Sequence, residues 1–151
     1  KEYNSQLKKG FIQKAYKELM NYMMGLRNYF RNKYSDGFVV GSFYQGYMDI
    51  TFFTFTPDSI MDKKLKLAIL FNHEKSRFES WLVGQNKQIQ KDYQTQLKIN
   101  GYKISDNPQD SVIENIIVEN PDFSEPGFLT QQIGSNVITF VRNIESQLRN
   151  K

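Results

Sequence analysis

The chain has 151 residues, a formal net charge of +4 and no cysteine. This length fits a single domain over residues 1–151, and 39% hydrophobic with 24% charged residues is ordinary for a soluble globular protein. The lack of cysteine excludes disulfide scaffolds and thiolate metal sites. No apolar run approaches the roughly 20 residues of a membrane span. The first ten residues lack the apolar segment of a signal peptide, so a cytoplasmic location is expected.

The charge is unevenly distributed along the chain. Residues 1–36 carry eight basic and three acidic side chains, whereas residues 104–151 carry three basic and seven acidic ones. A basic front and an acidic tail could steer an anionic partner. The simpler interpretation is that the two ends pack near each other and partly neutralise.

Helical periodicity marks both ends of the chain. Residues 2–9 could form a short helix that ends at Gly10, and Phe11 to Lys33 repeats apolar residues at steps of three and four. Asn86 is a plausible N-cap for a helix that carries Ile89, Tyr93 and Leu97. The same apolar spacing predicts a last helix from about Gly127 to Leu148.

Between the first helix and Asn86 the pattern predicts two β-hairpins. The predicted strands are Phe38–Tyr44, Tyr47–Phe55, Leu65–Phe71 and Arg77–Val83. Apolar side chains occur at both the odd-numbered and the even-numbered positions of the second strand, which is typical of a central strand covered on both faces.

The segment Val112–Val118 is ambiguous. Ser111-x-x-Glu114 is a capping-box signature that favours a short helix, with Ile113, Ile116 and Ile117 at helical spacing, although a strand is possible. The predicted fold is therefore α+β: a four-stranded, mainly antiparallel sheet of two hairpins, packed by long N-terminal and C-terminal helices.

Polar and aromatic side chains gather around the two hairpins. They form a candidate pocket of Tyr44, Tyr47, Asp49, His73, Glu74, Arg77, Glu79 and Trp81. If Asp49, His73 and Glu79 converge, they could act as an acid–base group of a hydrolase or hold a divalent ion. The simpler alternative is that Arg77 and Glu79 pair with each other and that His73 lies on the surface. A nuclease of the Asp…Glu-x-Lys type is excluded because Trp81 stands where that pattern requires lysine.

Trp81 is expected to be largely buried, beside the second strand or beneath a helix, as the floor of this pocket. Its face of the strand runs from polar Arg77 and Glu79 to apolar Val83, so the polar end would form the rim.

The basic residues of the first helix could contact nucleic acid weakly. They are spread around the helix instead of forming one stripe, so nucleic-acid binding is not expected. These residues are Lys8, Lys9, Lys14, Lys17, Arg27, Arg31 and Lys33.

Three segments resemble a bacterial family of uncharacterised proteins, a domain of unknown function. They read GYMDITFFTFTP, KLKLAILFNHEKSRFESWLVGQNKQIQ and VENPDF, and the resemblance spans roughly Leu7 to Leu148. It implies a bacterial cytoplasmic protein but no activity and no functional residues. The resulting hypothesis is a binding or interaction module for an unknown small molecule or protein, with no membrane partner, no metal and no cofactor assigned.

Overall fold

The computed structural model describes residues 11–45, 49–106 and 108–149. Its elements in chain order are α1 (Phe11–Lys33), β1 (Phe38–Gln45), β2 (Ile50–Pro57), α2 (Asp58–Met61), β3 (Leu65–Asn72), β4 (Arg77–Gly84), α3 (Lys87–Ile99), β5 (Ile113–Val118) and α4 (Pro126–Arg149). The short helix predicted over residues 2–9 lies outside the described residues, as does Tyr47. The α+β class and the long helices at both ends are confirmed.

The strands form one antiparallel meander in the order β1-β2-β3-β4-β5. The prediction of four strands was therefore one strand short. Each strand pairs with the strand that precedes or follows it in the sequence, and the two predicted hairpins are β1–β2 and β3–β4. Short connections of this kind require antiparallel pairing.

The extra strand is β5, so the helix favoured for Val112–Val118 is wrong. Ser111 Oγ does donate to Glu114 Oε2 at 2.7 Å, so the two residues of the pattern interact, but through their side chains and not through the backbone N–H groups of a capping box. The backbone nevertheless pairs with β4, and Val112 N–H donates to the Leu82 carbonyl at 2.7 Å. Branched side chains favour an extended backbone, and an unpaired β4 edge was available to receive it.

One face of the sheet is covered by helices. Phe53, Ile69 and Phe78 lie on this face, and the buried side chains of α1, α3 and α4 join them in a single apolar cluster. The helical contribution includes Met23, Leu26 and Phe30 from α1, Tyr93 and Leu97 from α3, and Leu129, Ile133, Val137, Phe140, Val141, Ile144 and Leu148 from α4.

The opposite face of the sheet carries no helix from the described part of the chain. Ile50, Phe52 and Thr54 of β2 lie there and are only half-buried, so the prediction of a strand covered on both faces was wrong. Ala68 and Leu70 are buried on this face but do not belong to the main apolar cluster. The fold thus leaves an apolar surface that helices do not fill.

Both edges of the sheet are partly blocked by helix side chains. Arg27 Nε of α1 donates to the Gly41 carbonyl of β1 at 2.7 Å, beside an irregularity in the β1–β2 register. Asn136 Nδ2 of α4 donates to the Ile117 carbonyl of β5 at 2.8 Å. Satisfied edge carbonyls are poorer templates for pairing with another strand. None of the described helices combines the length and apolar character needed to cross a membrane.

Candidate functional site

Three of the predicted pocket residues line two concave sites on opposite faces of the sheet. One is the open-face groove, on the helix-free face, with a volume of about 640 Å³. The other is the aromatic cleft, between α1 and the ends of β3 and β4, with a volume of about 510 Å³. Trp81 and Asp49 line the groove, whereas His73 lines the cleft.

The open-face groove exists because a small residue lies between larger ones. Ala68 of β3 pairs with Thr54 on one side and with Trp81 on the other. Ala68 and Leu70 form a buried apolar floor, from which Phe52 and Trp81 rise on the two neighbouring strands. Strands that are two positions apart in a sheet lie roughly 9–10 Å from each other, so these side chains form the walls of a slot.

The carboxylate of Glu79 fixes the wall that contains Trp81. Glu79 is 2% exposed and accepts hydrogen bonds from Trp81 Nε1 at 2.8 Å, Arg77 Nε at 2.7 Å and Asn72 Nδ2 at 3.2 Å. The hydrogen bond to Glu79 raises the pKa of the Arg77 guanidinium. Arg77 also donates to the exposed Glu119 at 3.0 Å. A buried carboxylate with three donors restrains every side chain that bonds to it.

Trp81 is half-buried, so it is less covered than the sequence predicted. It lies on the helix-free face, and no described helix packs over it. On its outer side it pairs with Glu114, which accepts from Ser111 Oγ at 2.7 Å and from Ser105 Oγ at 3.1 Å. The indole therefore has fixed polar neighbours on two sides and faces the groove with its apolar surface.

The other predicted pocket residues lie around these sites. Tyr44 is exposed on β1 and packs against Phe52, with ring centroids 4.9 Å apart. Glu74 is exposed in the turn between β3 and β4. Asp49 lines the groove, and its backbone carbonyl accepts from the His73 N–H at 2.9 Å.

His73 points to the helix-covered face. Its Nε2 lies 2.8 Å from Thr51 Oγ1, and the Thr51 side chain is fully buried beneath the helices. The imidazole stacks on Tyr16 of α1 at 6.0 Å, and burial lowers the pKa of His73, while the nearby Asp49 charge raises it to a smaller extent. Glu79 lies on the opposite face, so the structure does not bring His73 and Glu79 into one cleft.

The aromatic cleft contains residues outside the predicted pocket. Tyr16 and Tyr22 come from α1, and Phe123 comes from the loop before α4. They meet Phe71 and His73 of the β3 end. Only the tertiary fold brings these three distant segments together, so no local sequence signal could have identified the cleft.

Comparison with known families gives a match over almost the whole chain. The family described as Domain of unknown function (DUF7000) matches residues 1–148. The chain belongs to this family. No curated protein and no solved structure matched the chain. The DUF7000 assignment confirms the predicted resemblance to a domain of unknown function, and it brings no activity with it.

The described residues of this DUF7000 member contain no group of three or more His, Asp or Glu side chains that could hold a metal ion. Two of the basic residues on α1 have partners within the fold, since Arg27 donates to Gly41 and Lys33 Nζ donates to Tyr29 Oη at 3.0 Å. Both side chains are therefore engaged in contacts within the fold. The candidate functional sites are the open-face groove and the aromatic cleft.

Proposed function

We propose that this protein is a ligand-binding module whose open-face groove holds a flat, mainly apolar small molecule, with the bacterial cytoplasm as its expected setting. The observation that carries the proposal is the half-buried Trp81 indole, held beside an apolar floor by the buried Glu79 carboxylate. Aromatic side chains placed in this way supply a large stacking surface at low entropic cost.

The dimensions and chemistry of the groove support this class of ligand. Small-molecule sites commonly occupy about 300–1,000 Å³ and have apolar walls with a few polar groups, and the groove of about 640 Å³ fits that range. Its charged lining residues include Asp49 at one end of the strands and Lys66 at the other. Polar groups at the ends and apolar groups between them suit a ring system with polar substituents.

The hydrogen bond between Trp81 and Glu79 determines which part of the indole can contact a ligand. Because its N–H is already donated to Glu79, the side chain offers its ring to a ligand, and stacking on the indole becomes the main interaction. Apolar ring contacts of this kind discriminate by shape more than by hydrogen-bond pattern.

The chain provides its own reporter for this proposal, since Trp81 is its only tryptophan. A panel of planar heterocycles, with sugars and short aliphatic acids for comparison, should be titrated while the intrinsic Trp81 fluorescence is recorded. We expect saturable quenching or a spectral shift with planar compounds, and isothermal calorimetry should give the same affinity.

Two variants in which an alanine is replaced by leucine test the location of binding. Ala68→Leu fills the groove floor and should abolish the fluorescence response, whereas Ala15→Leu adds the same bulk in the aromatic cleft and should leave it unchanged. Circular dichroism confirms that each variant is folded. If Ala68→Leu binds as tightly as the original chain, or if no planar compound binds, the groove is not the ligand site.

The geometry gives less support to the hydrolase hypothesis. That enzyme needs Asp49, His73 and Glu79 in one cleft, whereas His73 bonds to Thr51 on one face and Glu79 bonds to Trp81 on the other. All three Glu79 partners are donors that fix it in place. A carboxylate held in this way serves to position the indole.

A further inference from the structure

The aromatic cleft differs from the groove in having ring faces and edges on several sides. Tyr22 and Phe123 meet nearly perpendicularly, with centroids 5.6 Å apart at 89°, and Tyr16 stacks on His73 at 6.0 Å. Tyr22 is anchored because its hydroxyl lies 2.9 Å from Thr130 Oγ1 of α4. The rings therefore come from three segments, and the contact between Tyr22 and Thr130 fixes α1 against α4 outside the cleft.

The charge on the described lining of the cleft is negative. Among the described residues that line it, Glu18 is the one acidic side chain, and neither lysine nor arginine is among them. Burial lowers the pKa of His73, which favours the neutral imidazole at neutral pH. Aromatic faces carry negative electrostatic potential, so the rings and the carboxylate attract the same kind of charge.

The same protein already pairs a cation with rings elsewhere. At the other end of α1, Lys33 Nζ lies 5.4 Å from the centroid of the Tyr29 ring and 5.7 Å from that of Tyr34. These distances are typical of cation–π contacts. In the cleft the rings and the carboxylate are present, but the described lining residues supply no ammonium group.

We propose that the aromatic cleft is a second binding site, which takes the ammonium group of a small organic cation between its rings, with the Glu18 carboxylate at the rim. This site lies on the helix-covered face of the sheet and is independent of the groove. Quaternary ammonium groups are the ligands that such aromatic surroundings recognise best.

The test compares a cation with its neutral isostere. Choline and 3,3-dimethylbutan-1-ol have nearly the same shape, but only choline is charged, so each should be titrated into the full chain by NMR. We expect saturable shifts with choline and an affinity at least about fivefold weaker for the neutral alcohol, as follows if two rings act on the charge. Equal affinities would show a merely apolar cleft and overturn the proposal, as would the absence of saturable choline binding.

Matched variants locate the site. Glu18→Gln should weaken choline binding about two- to fourfold, because one partly screened charge is lost, and Tyr16→Leu should weaken it further. Glu74→Gln removes an exposed carboxylate that does not line the cleft and should have no effect. Choline binding that is insensitive to both Glu18→Gln and Tyr16→Leu places the ligand elsewhere and refutes the assignment.

The groove variant separates this result from the first proposal. Ala68→Leu lies on the other face of the sheet and should leave choline binding unchanged while it removes the fluorescence response to planar compounds. Loss of both kinds of binding in Ala68→Leu would contradict the independence of the two sites.

Discussion

The buried Glu79 carboxylate offers the sharpest test of how the groove is built. Glu79 and Glu119 both accept from Arg77, at 2.7 Å and 3.0 Å, but the Glu79 side chain is 2% exposed and that of Glu119 is 56% exposed. Replacing either glutamate by glutamine removes one negatively charged partner of Arg77. The two variants therefore differ mainly in the burial of the lost charge.

The expected magnitudes follow from these environments. In Glu79→Gln the three donors face an amide whose NH₂ group cannot accept, so Arg77 or Trp81 loses its partner. Loss of a hydrogen bond to a buried charged group costs about 1.5–3 kcal/mol, and breaking a buried ion pair costs more. Because Arg77 keeps Glu119 and is itself partly exposed, we expect the free energy of unfolding to fall by about 2–3 kcal/mol. Glu119→Gln should cost less than about 1 kcal/mol.

Urea unfolding followed by circular dichroism gives the free energies, and the emission of the folded state reports on Trp81. Glu79→Gln should also shift the emission of Trp81, because its N–H partner changes, whereas Glu119→Gln should not. Equal losses in the two variants, or a loss below about 1 kcal/mol for Glu79→Gln, would refute the role assigned to the carboxylate.

Three further predictions concern other parts of the fold. Gly84→Ala places a Cβ 2.6 Å from the Gln90 backbone nitrogen and should lower the free energy of unfolding by about 2–4 kcal/mol in urea titrations, whereas Gly25→Ala, in open space within α1, should raise it by about 0.5–1 kcal/mol. Asn86→Ala removes the N-cap bond to the first turn of α3, and its thermal unfolding should reveal a loss of about 1 kcal/mol. Burial lowers the pKa of His73 in the folded state, so the unfolded chain takes up its proton first and this contribution to stability is present above about pH 6.5 and lost as the pH falls further. His73→Gln should therefore lose less stability than the original chain between about pH 7.5 and about pH 5; identical pH dependences would contradict the effect.

The parts of the fold that local patterns determine were predictable. The bounds of α1, the two hairpins and the Asn86 cap follow from periodicity and turn residues. The β5 segment was not predictable in this way, because the Ser111-x-x-Glu114 pattern of a helix cap occurs here at the start of a strand, where the Ser111 hydroxyl donates to the Glu114 side chain. Only pairing with β4 distinguishes the two conformations, and that pairing is a property of the tertiary structure.

The site was predicted only in part because side-chain direction depends on strand register. Asn72 pairs with Arg77, so an odd-numbered residue of β3 faces the same side as an even-numbered residue of β4. His73 and Glu79 are both odd-numbered and therefore point to opposite faces. Sequence reasoning placed both at the hairpin ends correctly, but it could not assign faces without the length of the turn.

The two proposed sites depend on one short stretch of the β2–β3 pair. Asp49 lines the groove, while its backbone carbonyl accepts from the N–H of His73, which lines the cleft. Ile50 also lines the groove, and the next residue, Thr51, contacts the His73 ring on the covered face. Because successive residues of a strand face opposite sides, one ordered strand end can position side chains in both sites. The backbone pairing at Asp49 and His73 is thus the structural feature that the groove and the cleft have in common.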